Sequence, residues 1–106
     1  MDKDTLVNLL KEAQNGNRDA LEKLCKFSVQ FVRNYFTYRF KDIETINDLC
    51  QETFIRLVNS FQNIREPTKY KNFVLKTAFY VAQDFLRTKS TIRAKISSLD
   101  DVKNSP

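Results

Sequence analysis

The chain has no histidine and no tryptophan, and only one glycine, one methionine, two prolines and two cysteines among its 106 residues. Without histidine, the commonest general base and the usual partner of a nucleophilic serine or cysteine are missing. No carboxylate pair stands in a recognisable catalytic setting, so the chain reads as a non-enzyme. Cys25 and Cys50 have neither a histidine nor a further cysteine at metal-ligand spacing. Both fall on apolar helix faces and read as small, reduced core residues, and no metal or cofactor is expected. So little Gly and Pro speaks against a turn-rich β fold and for a helical one. No apolar run approaches the length of a membrane span, and Met1-Asp-Lys-Asp is no signal peptide. A soluble, cytoplasmic protein without membrane insertion is expected.

What is present suits one domain with a single modest core: 42% hydrophobic residues, including nine Phe and four Tyr. The spacing predicts a first helix from Asp4, as N-cap, to Gln14, with Leu6, Leu9, Leu10 and Ala13 inward. Gly16 between two asparagines stops it. Asp19, with Glu22 three residues on, is expected to cap a second helix reaching Arg39. Its stripe is Leu21, Leu24, Cys25, Ser28, Phe31, Val32, Tyr35 and Phe36. Phe27, Tyr38 and Phe40 lie off that stripe, so this helix should contact two neighbours. A third helix, with Thr45 as N-cap, carries Ile46, Leu49, Cys50, Thr53, Phe54, Leu57, Val58 and Phe61 on one face. Gln62 to Thr68 has no period, and Pro67 turns Glu66 away from helix. Thr68 then caps a fourth helix from Lys69 to Thr88, whose inward set is Tyr70, Phe73, Val74, Thr77, Ala78, Val81, Ala82, Phe85 and Leu86. From Ser90 onward Ser, Asp, Lys and Asn dominate, which reads as a linker or tail.

Two surfaces carry the functional question. On the third helix, Asp48, Gln51 and Glu52 make an acidic and amide cluster over one turn. A basic partner helix would fit it, but a charged helix face is more often only solvated, and Glu52 with Arg56 at i, i+4 suits a wet ion pair. The second surface is basic. The chain carries a net charge of +5, and the segment from Arg65 to Lys95 alone holds +6, which leaves −1 for the rest. On the fourth helix Asn72, Lys76, Phe79, Gln83 and Arg87 recur three or four residues apart along one line, with Tyr80 beside it. Lys and Arg neutralise phosphates, amides read base edges, and exposed aromatic rings stack on unpaired bases. The competing reading is a solvated basic helix whose Phe79 and Tyr80 enter the core through a small rotation.

Asp48-Leu-Cys-Gln51-Glu52-Thr-Phe54-Ile-Arg56-Leu57 resembles the DLxQExFxRL signature of region 2 in sigma-70 family factors, especially the extracytoplasmic-function (ECF) group. Leu9-Leu10, Gly16-Asn17 and Asp19-Ala20-Leu21 are similar to the family's opening helix and turn. Tyr70-Lys-Asn-Phe73-Val-Leu-Lys76-Thr-Ala78 followed by Asp84-Phe85-Leu86-Arg87 resembles its aromatic segment and D-[YF]-L-R run, and Ser98-Leu99-Asp100-Asp101 resembles the start of its linker. Phe73 stands where the family usually has Trp, and Phe79-Tyr80 where it has Arg-Asn. The sequence through Pro106 contains no helix-turn-helix segment.

This resemblance implies an all-α fold: a compact bundle of three to four helices over residues 4–90, centred on the helix from Thr45, with a flexible C-terminal linker at 91–106. It implies docking of Asp48, Gln51, Glu52 and Arg56 on the β′ coiled coil of the RNA polymerase core. It also implies recognition of the −10 promoter element and capture of an unstacked non-template-strand base. The expected DNA-contacting set is Asn63, Arg65, Lys69, Lys71, Asn72, Lys76, Phe79, Tyr80, Gln83 and Arg87. An anti-sigma factor is a further candidate partner. The rival expectations are a helical nucleic-acid-binding module unrelated to polymerase, and a sigma-like adaptor or decoy that does not melt DNA.

Overall fold

The computed structural model describes the backbone of residues 1–103 and the side chains of residues 1–90 and of Ile92. Four α-helices follow one another: α1 (Lys3–Gln14), α2 (Arg18–Arg39), α3 (Ile43–Ser60) and α4 (Tyr70–Lys103). Two short 3₁₀ turns, Phe61–Asn63 and Pro67–Lys69, join α3 to α4. The all-α class is as expected.

Three helix starts lie upstream of the expected caps. Asp2, not Asp4, caps α1, its Oδ1 accepting the Thr5 backbone N–H at 2.7 Å. Asn17, not Asp19, caps α2, accepting from Ala20 N–H at 3.1 Å. Asp42, not Thr45, caps α3 and accepts both the Thr45 N–H (3.3 Å) and its hydroxyl (2.6 Å). Asp4, Asp19 and Glu44 instead lie within the first turns, where negative charge suits the helix dipole. Thr68 sits inside the second 3₁₀ turn and caps nothing. Beyond the expected end at Thr88, α4 continues to Lys103. The expected linker at 91–106 falls almost wholly on residues whose side chains lie outside the described set.

Between α1 and α2 the chain reverses over three residues. Gly16 takes φ +95°, and Gly16 N–H and Asn17 N–H bond back to Ala13 and Glu12 carbonyls at 3.0 Å each. This pairing satisfies carbonyls that α1 would otherwise leave bare. Asn17 therefore ends one helix with its N–H and begins the next with its side chain.

The core is shared by all four helices. Leu6, Leu10 and Ala13 of α1 meet Leu24, Val32 and Phe36 of α2, Ile46, Leu49 and Leu57 of α3, and Tyr70, Val74 and Ala78 of α4. It is α2, not α3, that sits centrally, packed against each of the other three helices. This follows from the wide apolar girth that Phe27, off the stripe and packed against the core, adds to it. Val58 and Leu86, both expected inward, are 45% and 52% exposed. The hydroxyls of Ser28 and Thr53 are buried, and each bonds the carbonyl one turn back, to Leu24 at 2.8 Å and Leu49 at 2.7 Å.

The Gln14 side-chain amide reaches from α1 to the first 3₁₀ turn. It donates to the Phe61 carbonyl at 2.8 Å and to the Ile64 carbonyl at 3.0 Å.

Candidate functional site

Burial of Ile46, Leu49, Cys50, Thr53 and Leu57 turns the opposite side of α3 to solvent, and with it Asp48, Gln51 and Glu52. Ile55, which belongs to neither face in the sequence pattern, is 48% exposed one turn beyond Gln51 and adds an apolar contact to this surface. Glu52 accepts from Arg56 Nε at 3.1 Å. Arg56 does not stop there: its Nη2 reaches Asp84 of α4 at 3.1 Å, and Asp84 in turn pairs with Arg87 at 2.9 Å. The two carboxylates, Glu52 foremost, raise the Arg56 pKa further above its ordinary range. Arg56, expected among the partner contacts, is thus engaged within the chain as a tie between α3 and α4. The i, i+4 spacing revealed the first half of this chain of charges. Asp84, on another helix, was invisible to it.

On α4, burial of Tyr70, Val74, Ala78, Val81 and Ala82 sets the rotation. Asn72, Lys76, Phe79, Tyr80, Gln83 and Arg87 are all exposed, along one side of the helix. Phe79 and Tyr80 are 47% and 54% exposed and meet edge to face, with ring centroids 5.7 Å apart. They do not enter the core. Lys71 leaves this line; it lies about 100° round the helix from Asn72, with its ammonium 5.9 Å from the Phe27 ring. Lys69 is paired with Glu66 at 3.0 Å, while Asn63 and Arg65 are exposed on the connecting segment.

The sequence pattern also missed a contribution from α2. Phe79, Ala82, Gln83 and Leu86 of α4 face Tyr35, Arg39 and Phe40 across an open groove of about 410 Å³. The Arg39 guanidinium lies 3.7 Å from the Tyr35 ring centroid, a stacked cation–π geometry. The exposed Phe79 therefore borders a trough with a flat cationic wall, suited to planar anionic ligands such as nucleotides.

Both cysteines are free; Cys50 is buried and Cys25 half-buried, and burial raises the pKa of each thiol. Among the described residues no group of His, Cys, Asp and Glu has the arrangement of a metal site, and no helix is long and apolar enough to cross a membrane.

The sequence that carries these surfaces is similar to those of known proteins. Residues 28–92 match the family model described as Sigma-70 region 2. The chain is similar to the ECF RNA polymerase sigma factor SigX of Bacillus subtilis (strain 168), with 34% identity over 67 residues, 63% of this chain and 34% of that protein. It is also similar to the probable RNA polymerase sigma-C factor of Mycobacterium bovis, with 29% identity over 86 residues, 81% of this chain and 46% of that protein. It therefore spans less than half the length of these curated relatives. No solved structure matches it. With the family match covering α3, the connecting segment and most of α2, and reaching well into α4, the chain belongs to the sigma-70 region 2 family.

Proposed function

We propose that this chain is the promoter-recognition and strand-opening domain of an ECF-type sigma factor, acting in the cytoplasm on the RNA polymerase core. In this reading Asp48, Gln51, Glu52 and the neighbouring Ile55 form the docking face for the β′ coiled coil. The exposed side of α4, with Asn63 and Arg65 before it, meets the −10 element. The observation that carries the reading is the exposure of Phe79 and Tyr80 on a cationic helix side, beside the Arg39–Tyr35 stack. Exposed rings among lysine, arginine and amide groups offer unpaired bases a stacking surface, worth about 1–3 kcal/mol per base. That offsets the few kcal/mol needed to take a base out of a duplex. No bond is made or broken, and the role needs no catalytic group.

Two variants test the two halves separately. Asp48→Ala, Gln51→Ala, Glu52→Ala should lose binding to a β′ coiled-coil fragment at least tenfold, a loss of about 1.4 kcal/mol or more, while keeping its helicity. Phe79→Ala, Tyr80→Ala should bind single-stranded −10 oligonucleotides about tenfold or more weakly. Unchanged coiled-coil binding by the first variant would remove the docking assignment. Coiled-coil binding by a wild-type chain with no affinity for the single strand would make it a helical adaptor instead.

A further inference from the structure

The segment Phe61–Glu66 carries two of the proposed strand contacts, Asn63 and Arg65, yet has little hydrogen bonding of its own. The 3₁₀ turn at Phe61–Asn63 closes with a long Ile64 N–H to Phe61 carbonyl contact of 3.4 Å, and neither 3₁₀ turn has a side-chain cap. The shorter bonds come from outside. Gln14, the last residue of α1, places its side-chain nitrogen 2.8 Å from the Phe61 carbonyl and 3.0 Å from the Ile64 carbonyl, both half-buried contacts across 47 and 50 positions of sequence. One amide nitrogen with two protons thus serves both ends of the turn. The Phe61 and Ile64 side chains pack half-buried against the core, while Gln62, Asn63 and Arg65 stand exposed between and after them. Gln14 itself is held in place, because the Gly16 turn locks the end of α1 directly after it.

From this we infer that Gln14 is the positioning residue of the strand-recognition segment: its amide fixes the turn from which Asn63 and Arg65 reach the single strand. The role rests on the proposed promoter-strand function and extends it to α1, a helix that supplies none of the proposed contacts. Phosphate attraction from Lys76 and its neighbours does not depend on the shape of this turn, whereas base discrimination does. Loss of Gln14 should therefore cost selectivity more than affinity.

The test uses the full 106-residue chain and a single strand selected for wild-type binding from a short random DNA pool, beside its base-scrambled counterpart. Gln14→Met keeps length and apolar volume but removes both donors. It should lower discrimination between the two strands about fivefold, as expected for two modest hydrogen bonds, with the scrambled strand bound as before. In a double-mutant cycle, Arg65→Ala should cost less discrimination in the Gln14→Met background than in the wild type. Equal discrimination by wild type and Gln14→Met, or independent losses in the cycle, would overturn the positioning role alone. A wild-type chain that does not discriminate would overturn the strand-recognition reading together with it. A measurement on the unaltered chain covers the case of a misfolded variant. The Gln14 side-chain amide protons should exchange slowly with solvent, and exchange as fast as that of the exposed Gln62 amide would overturn the anchor.

Discussion

At the residue scale, the donor order in the buried Ser28–Tyr70 pair follows from proton counting. The Ser28 hydroxyl has a single proton and gives it to the Leu24 carbonyl, which can only accept. The Tyr70 hydroxyl, 2.5 Å from Ser28 Oγ, is therefore the donor to it. Burial pushes the Tyr70 phenol above its ordinary value of 10.0. As pH rises past that ordinary value, the unfolded chain loses the phenol proton first and binds fewer protons than the folded one, so stability falls. The contribution is intact below about pH 10 and is lost as pH climbs through the raised folded value. Tyr70→Phe should cost about 1 kcal/mol near neutral pH through the lost hydrogen bond. In denaturant titrations the gap between wild type and variant should narrow on the alkaline side, because only the wild type carries the phenol. A gap that stays constant would contradict the buried, donating phenol. The two thiols titrate in both proteins and cancel in the comparison.

At the element scale, three helices start upstream of the caps that spacing predicts: Asp2 replaces Asp4, Asn17 replaces Asp19, and Asp42 replaces Thr45. In all three the upstream residue prevailed. An earlier cap lets further residues add helical hydrogen bonds, and in α1 and α2 the displaced carboxylates Asp4 and Asp19 still favour the first turn. Elements and their order were legible from periodicity; their first residues were not, because both candidates satisfy the same local rule. The tie between α3 and α4 lies beyond any local rule. The Arg56 and Asp84 side chains are 38% and 48% exposed, so their pair belongs with surface ion pairs. Arg56→Ala and Asp84→Ala should each cost less than about 1 kcal/mol, with a coupling near 0.5 kcal/mol in a double-mutant cycle. Raising salt to about 1 M should shrink that coupling, since screening then acts over about 3 Å. A coupling that persists in high salt would point to a desolvated pair, at odds with its exposure.

At the scale of the whole molecule, charge and fold divide the work. The net positive charge concentrates in one segment while the remainder is slightly acidic, so one stretch of the sequence attracts a polyanion and the other leaves α3 free to present Asp48, Gln51 and Glu52. Single-strand affinity should fall linearly with the logarithm of salt concentration, with a slope of about −0.7 per phosphate neutralised. Lys76→Gln should reduce that slope by about one such increment, whereas Phe79→Ala should lower affinity at every salt concentration and leave the slope unchanged. Equal slopes for Lys76→Gln and wild type would place the strand away from α4.

The amino-acid sequence alone determined the all-α class, the helix order, the inward stripes apart from Val58 and Leu86, and the likeness to sigma-70 region 2, because each depends on local spacing or on a contiguous motif. It also marked Asp48, Gln51, Glu52 and the Asn72-to-Arg87 line as candidate surfaces. The tertiary structure decided which of these stand open. It put α2 rather than α3 at the centre, kept Phe79 and Tyr80 out of the core, and set Tyr35 and Arg39 across from Phe79. It turned Arg56 toward Asp84 and Gln14 toward Phe61 and Ile64. Those outcomes turn on side chains that lie 28 to 50 positions apart in the chain and meet only once the helices have packed. Periodicity assigns a residue to a helix face, but it carries no information about which residue of another helix that face will meet.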